Sequence, residues 1–384
     1  MSLVVVLGAG LIVRSFQTLT DVDPGVAVEG KLVFRVSPTG DSYNTADALV
    51  QFYQQLQERL SALPGVAAAS GVTHLPLSGT GSRSDFLFEG RDVPGAGEPI
   101  WSAQWTSVLP GYFETMGIAP VRGRLLDASD VGGAEPVVVI SEDVAGEYLP
   151  GVDPIGMRVG LPFDTVPWAR IVGIVPRTRT NSLESDVIPQ IYFTHAQGPS
   201  IGQSRRALWM TLRTEVPPQT LVSATRRIVS ELEPRLPFTN VGTMEDVFAR
   251  SVAQPKLITN LIGSFALIAL VLAAIGIYGV VSYSVSKRTR EIGIRMALGA
   301  DRGAIARLMV QDGVWPAVVG LLVGIPIALV ASTMLRGILY EVSPRDPTVF
   351  ISLPLVLLAI AVVSSYLPAR RATRLAPAEA LREE

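Results

Sequence analysis

The residues able to do chemistry are few and do not gather into a set. Gly25 to Lys31 reads GVAVEGK, which fits the start of a phosphate-binding loop, where glycines free backbone N–H groups for phosphate and a lysine reaches the outer phosphates. The next place needs a Ser or Thr hydroxyl for Mg²⁺ and holds Leu32, and the stretch leads into a strand-like run instead of joining a strand to a helix. Nucleotide is therefore expected on another chain. His74 and His195 are the two histidines, each without a second ligand at metal spacing, and the chain has no cysteine to supply a thiolate. Ser78 to Ser82, SGTGS, lacks the flanking glycines that a GxSxG nucleophile elbow needs around its serine. The expectation is no catalytic residue, no bound cofactor and no metal.

The sequence concentrates its charge elsewhere. Lys287 to Ala300, KRTREIGIRMALGA, is the densest basic stretch, with Lys287, Arg288, Arg290 and Arg295 against Glu291. Leu257 to Ser286 carries no charged residue, and beyond Arg307 the chain turns apolar again up to Leu335. Two membrane spans thus flank a basic connector, which the positive-inside rule keeps in the cytoplasm. Within it Ile292, Arg295, Met296 and Gly299 recur at helical spacing beside Ile294 and Leu298, so a short helix can show an apolar face. Gly299 is a natural stop for that helix, and Asp301 an N-cap for the next. Charge alone makes this an ordinary loop that marks orientation. A short helix across the mouth of two spans is also placed to dock on a soluble partner.

The elements that must position this connector follow from hydropathy. Spans are predicted over about 257–285, 314–335 and 348–367, with a stalk helix from Thr243 leading through Pro255 into the first of these without a break. Asp246 stands three residues after Thr243, the spacing of a capping box. Gly320 and Gly324 form a GxxxG pair suited to close helix packing. Arg336 and Arg345 balance Glu341 and Asp346 in the outer loop, and Arg370, Arg371 and Arg374 return the tail to the cytoplasm. Leu3 to Val13 is apolar over only 11 residues; a span needs about 20, so residues 1–20 read as a partial first transmembrane helix. The three longer apolar stretches contain no Asp, Glu, Lys, Arg or His, whereas ion-coupled carriers keep such groups on their pathway.

Residues 21–242 form the soluble part. Residues 21 to 255 hold 18 basic and 26 acidic side chains, against 13 and 8 in residues 256 to 384. This balance argues against nucleic acid as a partner, since a reader of phosphate backbones needs a basic face. Lys31 onward reads as a strand, Thr45 to Leu63 as a helix and Val66 to Val72 as a strand; Ala207 to Arg213, Pro218 to Leu232 and Phe238 to Val241 repeat that order. Two β-α-β units would then bracket an inserted α/β subdomain over about 75–206, with strands at Pro136 to Ser141, Arg170 to Val175 and Gln190 to Phe193 and a helix at Glu142 to Tyr148. The fold class expected is an α+β extracytoplasmic domain, built of two β-α-β units plus the insert, on an all-α transmembrane bundle.

Four motifs carry a resemblance. RTREIGIRMALGA and YLPARRATRLAPAEALRE (Tyr366 to Glu383) resemble the C-terminal module of MacB-like and FtsX-like ABC transporter permeases, while LPGYFETMGIAPVRGR (Leu109 to Arg124) and GVDPIGMRV (Gly151 to Val159) resemble the MacB-like extracytoplasmic domain. In the latter pair, Tyr112, Phe113, Met116 and Ile118 read as core anchors and Gly117 and Gly123 as turn positions. The resemblance implies that residues 243–384 form an FtsX-like permease domain whose cytoplasmic segment 287–307 couples to an ATP-binding cassette subunit. The contacts would come from Arg290, Glu291, Ile292, Gly293, Ile294, Arg295, Met296, Leu298 and Gly299. It further implies ATP hydrolysis in that subunit, a homodimer or pairing with a second permease unit, multi-pass insertion in the inner membrane, and export or release of an amphiphilic substrate. The alternative is a membrane-anchored sensor that regulates a periplasmic protein partner without transport.

Overall fold

The computed structural model describes residues 2–79, 81–91, 101–163, 166–288, 291, 294 and 301–372. The chain divides into a helical unit, Met1–Asp21 with Gln254–Glu384, and a strand-bearing unit, Val22–Ala253.

In the strand-bearing unit, β1 (Lys31–Val36), α2 (Ala46–Ser61) and β2 (Val66–Val72) follow the first helix of the chain, α1 (Ser2–Thr20). Thr45 caps α2 by accepting the Ala48 N–H, and Leu49, Phe52, Tyr53, Leu56 and Leu60 recur along one face and are buried. The insert supplies β3 (Ser84–Asp85), β4 (Leu87–Phe88), β5 (Ser102–Val108), α3 (Tyr112–Met116), β6 (Arg122–Gly123), β7 (Val137–Ser141), α4 (Glu142–Tyr148), β8 (Arg158–Gly160), β9 (Ala169–Val175) and β10 (Gln190–Thr194). The chain then returns through β11 (Leu208–Thr214), α5 (Val222–Leu232), β12 (Thr239–Thr243) and α6 (Met244–Ser251).

The strand order is β12-β1-β11-β2-β5-β10-β7-β9-β8-β4. The two expected β-α-β units are therefore interleaved. Each keeps its helix, but a strand of the other unit lies between its own two strands, and β1 and β2 both run antiparallel to β11. This is the split β-α-β arrangement, in which α2 and α5 cover one face of the sheet. Leu32, Phe34, Leu208, Met210 and Leu212 meet Phe52, Leu56, Leu60 and Val229 there, each such side chain contributing about 1.5–3 kcal/mol on burial. Tyr53 ties the strand ends: its hydroxyl lies 3.0 Å from the Val36 carbonyl and 2.7 Å from that of Arg206, and accepts the Leu208 N–H at 3.1 Å.

The insert extends the same sheet. Its strand β5 joins β2 at a single pair, Val72 with Val108, and the strands of the insert have a core of their own, including Phe86, Trp105, Ile140, Ile171 and Phe193. Tyr112, Phe113, Met116 and Ile118 are buried. Gly117 closes α3 in the left-handed region at φ 74°, and Gly123 takes φ 73° where a Cβ would run into the Val172 carbonyl.

In the helical unit, α1 continues well past the apolar run that ends at Val13, reaching Thr20. The Thr18 and Thr20 hydroxyls donate to the Arg14 and Gln17 carbonyls at its polar end. Three longer helices follow, α7 (Ala253–Lys287), α8 (Arg302–Ala331) and α9 (Pro347–Ala372), and with α1 they are the four helices long and apolar enough to cross a membrane among the described residues. The stalk is not the unbroken helix expected. The capping box of Thr243 and Asp246 starts α6, but Val252 leaves helical geometry at φ −103°, ψ 3°, and a new helix starts at Ala253. Pro255 explains the restart. It has no N–H to give and its ring crowds the carbonyl four residues back, so it is accommodated only in a first turn.

Candidate functional site

The connector leaves α7 and re-enters at α8, and the described residues on both sides of it are tied together. Arg288 Nη1 donates to Asp312 Oδ2 at 3.0 Å, linking the start of the connector to α8. Arg371 Nη1, in the last turn of α9, donates to the Tyr278 hydroxyl of α7 at 2.9 Å. Lys287 sits 5.1 Å from the centroid of the Tyr283 ring, a cation–π contact that keeps the ammonium beside its own helix.

Beneath these polar ties Ile305 and Met309 of α8 and Ala369 of α9 are buried, with Val285 of α7 against them. Gly313 lets the three helices approach. A Cβ there would lie 2.6 Å from Val281 Cγ2 of α7 and would collide with the Ser365 hydroxyl of α9. Helices that bury little apolar area associate through such small-residue contacts. Among the described residues no group of side chains here could hold a metal. The arrangement joins described residues at the ends of the connector to α7, α8 and α9.

Of the expected coupling residues, Glu291 and Ile294 are helical and exposed. Arg290, Ile292, Gly293, Arg295, Met296, Leu298 and Gly299 lie outside the described residues. Asp301 directly precedes α8, and its carbonyl accepts the Ile305 N–H at 3.2 Å. The GxxxG pair divides. At Gly324 a Cβ would lie 2.6 Å from the Leu3 side chain of α1, whereas at Gly320 nothing lies within 4 Å. Sequence reasoning passed over Gly313 and Gly10; a Cβ on Gly10 would meet Val349 of α9 at 3.1 Å. Both are single glycines inside apolar helices, a pattern that does not say which neighbour they admit.

The chemically suggestive residues are placed structurally. Lys31 is buried in β1, with its Nζ donating to the Glu29 carbonyl at 3.2 Å, and burial lowers its pKa. His195 Nδ1 lies 3.1 Å from the Ser107 hydroxyl, its ring packs edge-on against Tyr53, and burial pushes its pKa down to about 4. His74 is likewise lowered to about 4, by burial first and then by Arg205 and Arg35. Among the described residues no three His, Asp or Glu side chains are grouped to hold a metal.

A family model described as the MacB-like periplasmic core domain matches residues 1–228, and one described as the FtsX-like permease C-terminal matches residues 263–377. The chain belongs to this family of permeases. It is 30% identical to the macrolide export ATP-binding/permease protein MacB of Agrobacterium fabrum over 292 residues, which is 73% of this chain and 43% of that protein. It is 31% identical to MacB 1 of Aeromonas hydrophila over 283 residues, 71% of this chain and 42% of that one. The chain thus spans less than half the length of these relatives. Among solved structures, the periplasmic region of MacB from Actinobacillus actinomycetemcomitans aligns with a TM-score of 0.41 at 15% identity, covering 60% of this chain and 96% of that one.

Proposed function

We propose that this chain is the permease component of an ABC transporter, carrying an ATP-driven conformational change from a cytoplasmic ATP-binding subunit to an extracytoplasmic strand-bearing domain in the export or release of an amphiphilic substrate. The observation that carries this reading is the fastening of α7, α8 and α9 around the connector by Arg288–Asp312, Arg371–Tyr278 and the Gly313 contact. Coupling needs an element whose movement is shared by the spans. The basic connector and tail put that end in the cytoplasm of the inner-membrane, multi-pass arrangement. Residues 21–242 are the extracytoplasmic domain, with the insert over about 75–206, and residues 243–384 the permease domain.

In this reading Arg290, Glu291, Ile292, Gly293, Ile294, Arg295, Met296, Leu298 and Gly299 contact the ATP-binding subunit. Gly320, open on its outer side, admits a helix of a second copy or a second permease unit. The test is co-purification of the ATP-binding subunit with Glu291→Lys and Gly293→Leu variants, where undiminished association would remove the coupling role. A membrane-impermeant thiol reagent on Arg295→Cys checks orientation, and labelling from outside the cell would invert the layout. The regulator alternative draws on the absence of ionisable residues from 257–286, 314–335 and 348–367. It predicts that a deletion strain accumulates no substrate.

A further inference from the structure

A cleft of about 500 Å³ opens in the strand-bearing unit, lined among others by Arg35, Leu77, Trp209, Asn240, Val247 and Arg250. Side chains alternate along a strand. With Phe34 and Met210 packed beneath α2 and α5, Arg35 and Trp209 belong to the opposite face of the sheet, where they stand directly across from each other in the β1–β11 register. Arg250 and Val247 come from α6.

Two cations face this cleft in a domain whose balance is acidic. Arg35 and Arg250 are exposed, and neither is within ion-pair distance of a carboxylate among the described residues. Asp246, one turn before Arg250, accepts the Thr243 N–H at 2.9 Å, and its carboxyl is held below the usual range first by its bonds to Thr243 and then by the Arg250 charge. The backbone adds an independent sign. Three described non-glycine residues have positive φ, and two of them, Leu77 at 64° and Asn240 at 53°, line this cleft. Leucine has no polar side chain to ease that conformation, and such strain concentrates where a ligand is gripped. Leu77 is held there by its N–H, which donates to the Arg179 carbonyl at 3.0 Å, and Asn240 lies where the β1–β12 register slips between Val33 and Arg35.

We propose that this cleft binds an anionic amphiphile, with a phosphate or carboxylate head between Arg35 and Arg250 and an apolar body against Trp209, Leu77 and Val247. Guanidinium groups take such oxyanions in paired N–H···O bonds, and an indole with aliphatic walls takes the apolar part. The site requires only the strand-bearing unit and stands apart from the coupling role of the connector.

The test is calorimetric titration of the full chain in phosphatidylcholine nanodiscs, with empty discs subtracted. Hexyl phosphate should bind at least about tenfold more tightly than inorganic phosphate, and hexyltrimethylammonium should not bind. Arg35→Gln and Arg250→Gln should each weaken hexyl phosphate about tenfold, the scale of a hydrogen bond to a charged group. Replacing the disc lipid by phosphatidylglycerol separates two sources of the same head: suppressed binding marks a bilayer lipid as the occupant, and unchanged binding marks a free amphiphile. In the unmodified chain, hexyl phosphate should protect Arg35 and Arg250 from a dicarbonyl reagent while Arg235 continues to react. Equal affinity in the double variant, equal binding of the cation, or no protection would overturn the proposal.

Discussion

The two units of this chain are held together by different means. In the strand-bearing unit the inner strands bury polar side chains along with apolar ones: Gln104, Thr106, Ser107, Gln190 and Thr211 are all at most 3% exposed. Several of their polar atoms are met inside, as where Gln190 Nε2 donates to the Thr178 and Thr180 hydroxyls at 2.8 Å each, while the buried Gln104 Oε1 has no hydrogen-bond partner. In the helical unit the order is reversed. Leu272, Ile275 and Val280 of α7 are each more than 60% exposed, while the closest approaches fall at Gly10, Gly313 and Gly324. One unit excludes water from large apolar groups. The other presents those groups outward, as a bilayer requires, and joins its helices through small residues and a few polar ties.

Phe193→Ala is the strongest way to break this contrast. Phe193 is fully buried beside Trp105, and removing such a ring costs about 3–5 kcal/mol. Chemical unfolding of the strand-bearing unit, followed by near-UV circular dichroism, should shift by that amount. Ile275→Ala in detergent-solubilised protein should stay within about 0.5 kcal/mol. A comparable loss from Ile275→Ala would mean that α7 is packed against protein.

Acid should separate the units next. The pKa of His195 is lowered in the fold to about 4, so between about pH 6.5 and 4 the unfolded chain holds a proton that the native chain does not. Stability is present above about pH 6.5 and falls as pH drops through that window, at up to about 1.4 kcal/mol per pH unit. His74, lowered in the same direction, adds to the slope. His195→Gln should flatten the unfolding profile of the strand-bearing unit, and the helical unit, which has no histidine, should show no such slope.

Gly313→Leu probes the other side of the comparison. Its added atoms meet Val281 and Ser365, and overpacking of this kind costs about 1–3 kcal/mol. A disulfide cross-link between cysteines at 281 and 365 should form less readily in the variant. Gly320→Leu, with open space around it, should leave the same cross-link unchanged.

What was legible in the sequence follows the same divide. Period-2 and period-3.6 patterns gave β1, α2, β2, β7, β9 and the helix faces, because apolar side chains there point to one core. The strand β5 was missed. Its SAQWTSV places Gln104, Thr106 and Ser107 inside, and a buried polar run looks like a loop until the strands that satisfy it are known. The interleaving of the two β-α-β units was equally hidden, since pairing between β1 and β11 joins residues far apart in sequence. At the connector the charge pattern marked the place, but it did not single out Asp312. Its partner, Arg288, lies across the turn of the chain, and nothing in local spacing brings the two together.

That pair is the smallest effect and the most telling. Both side chains are more than half exposed, so the ion pair should contribute only about 0.2–1 kcal/mol of coupling in a double-mutant cycle of Arg288→Ala and Asp312→Ala, and less at high salt. If its role were stability alone, either single variant would be nearly silent. If it fastens the connector to α8, ATPase activity measured with the ATP-binding subunit should lose its response to the state of the strand-bearing unit in both single variants. The charge-swapped double variant, Arg288→Asp with Asp312→Arg, should recover it. Recovery without any gain in unfolding free energy would separate transmission from stability at one pair of residues, and failure of the swap would leave the pair as a surface contact.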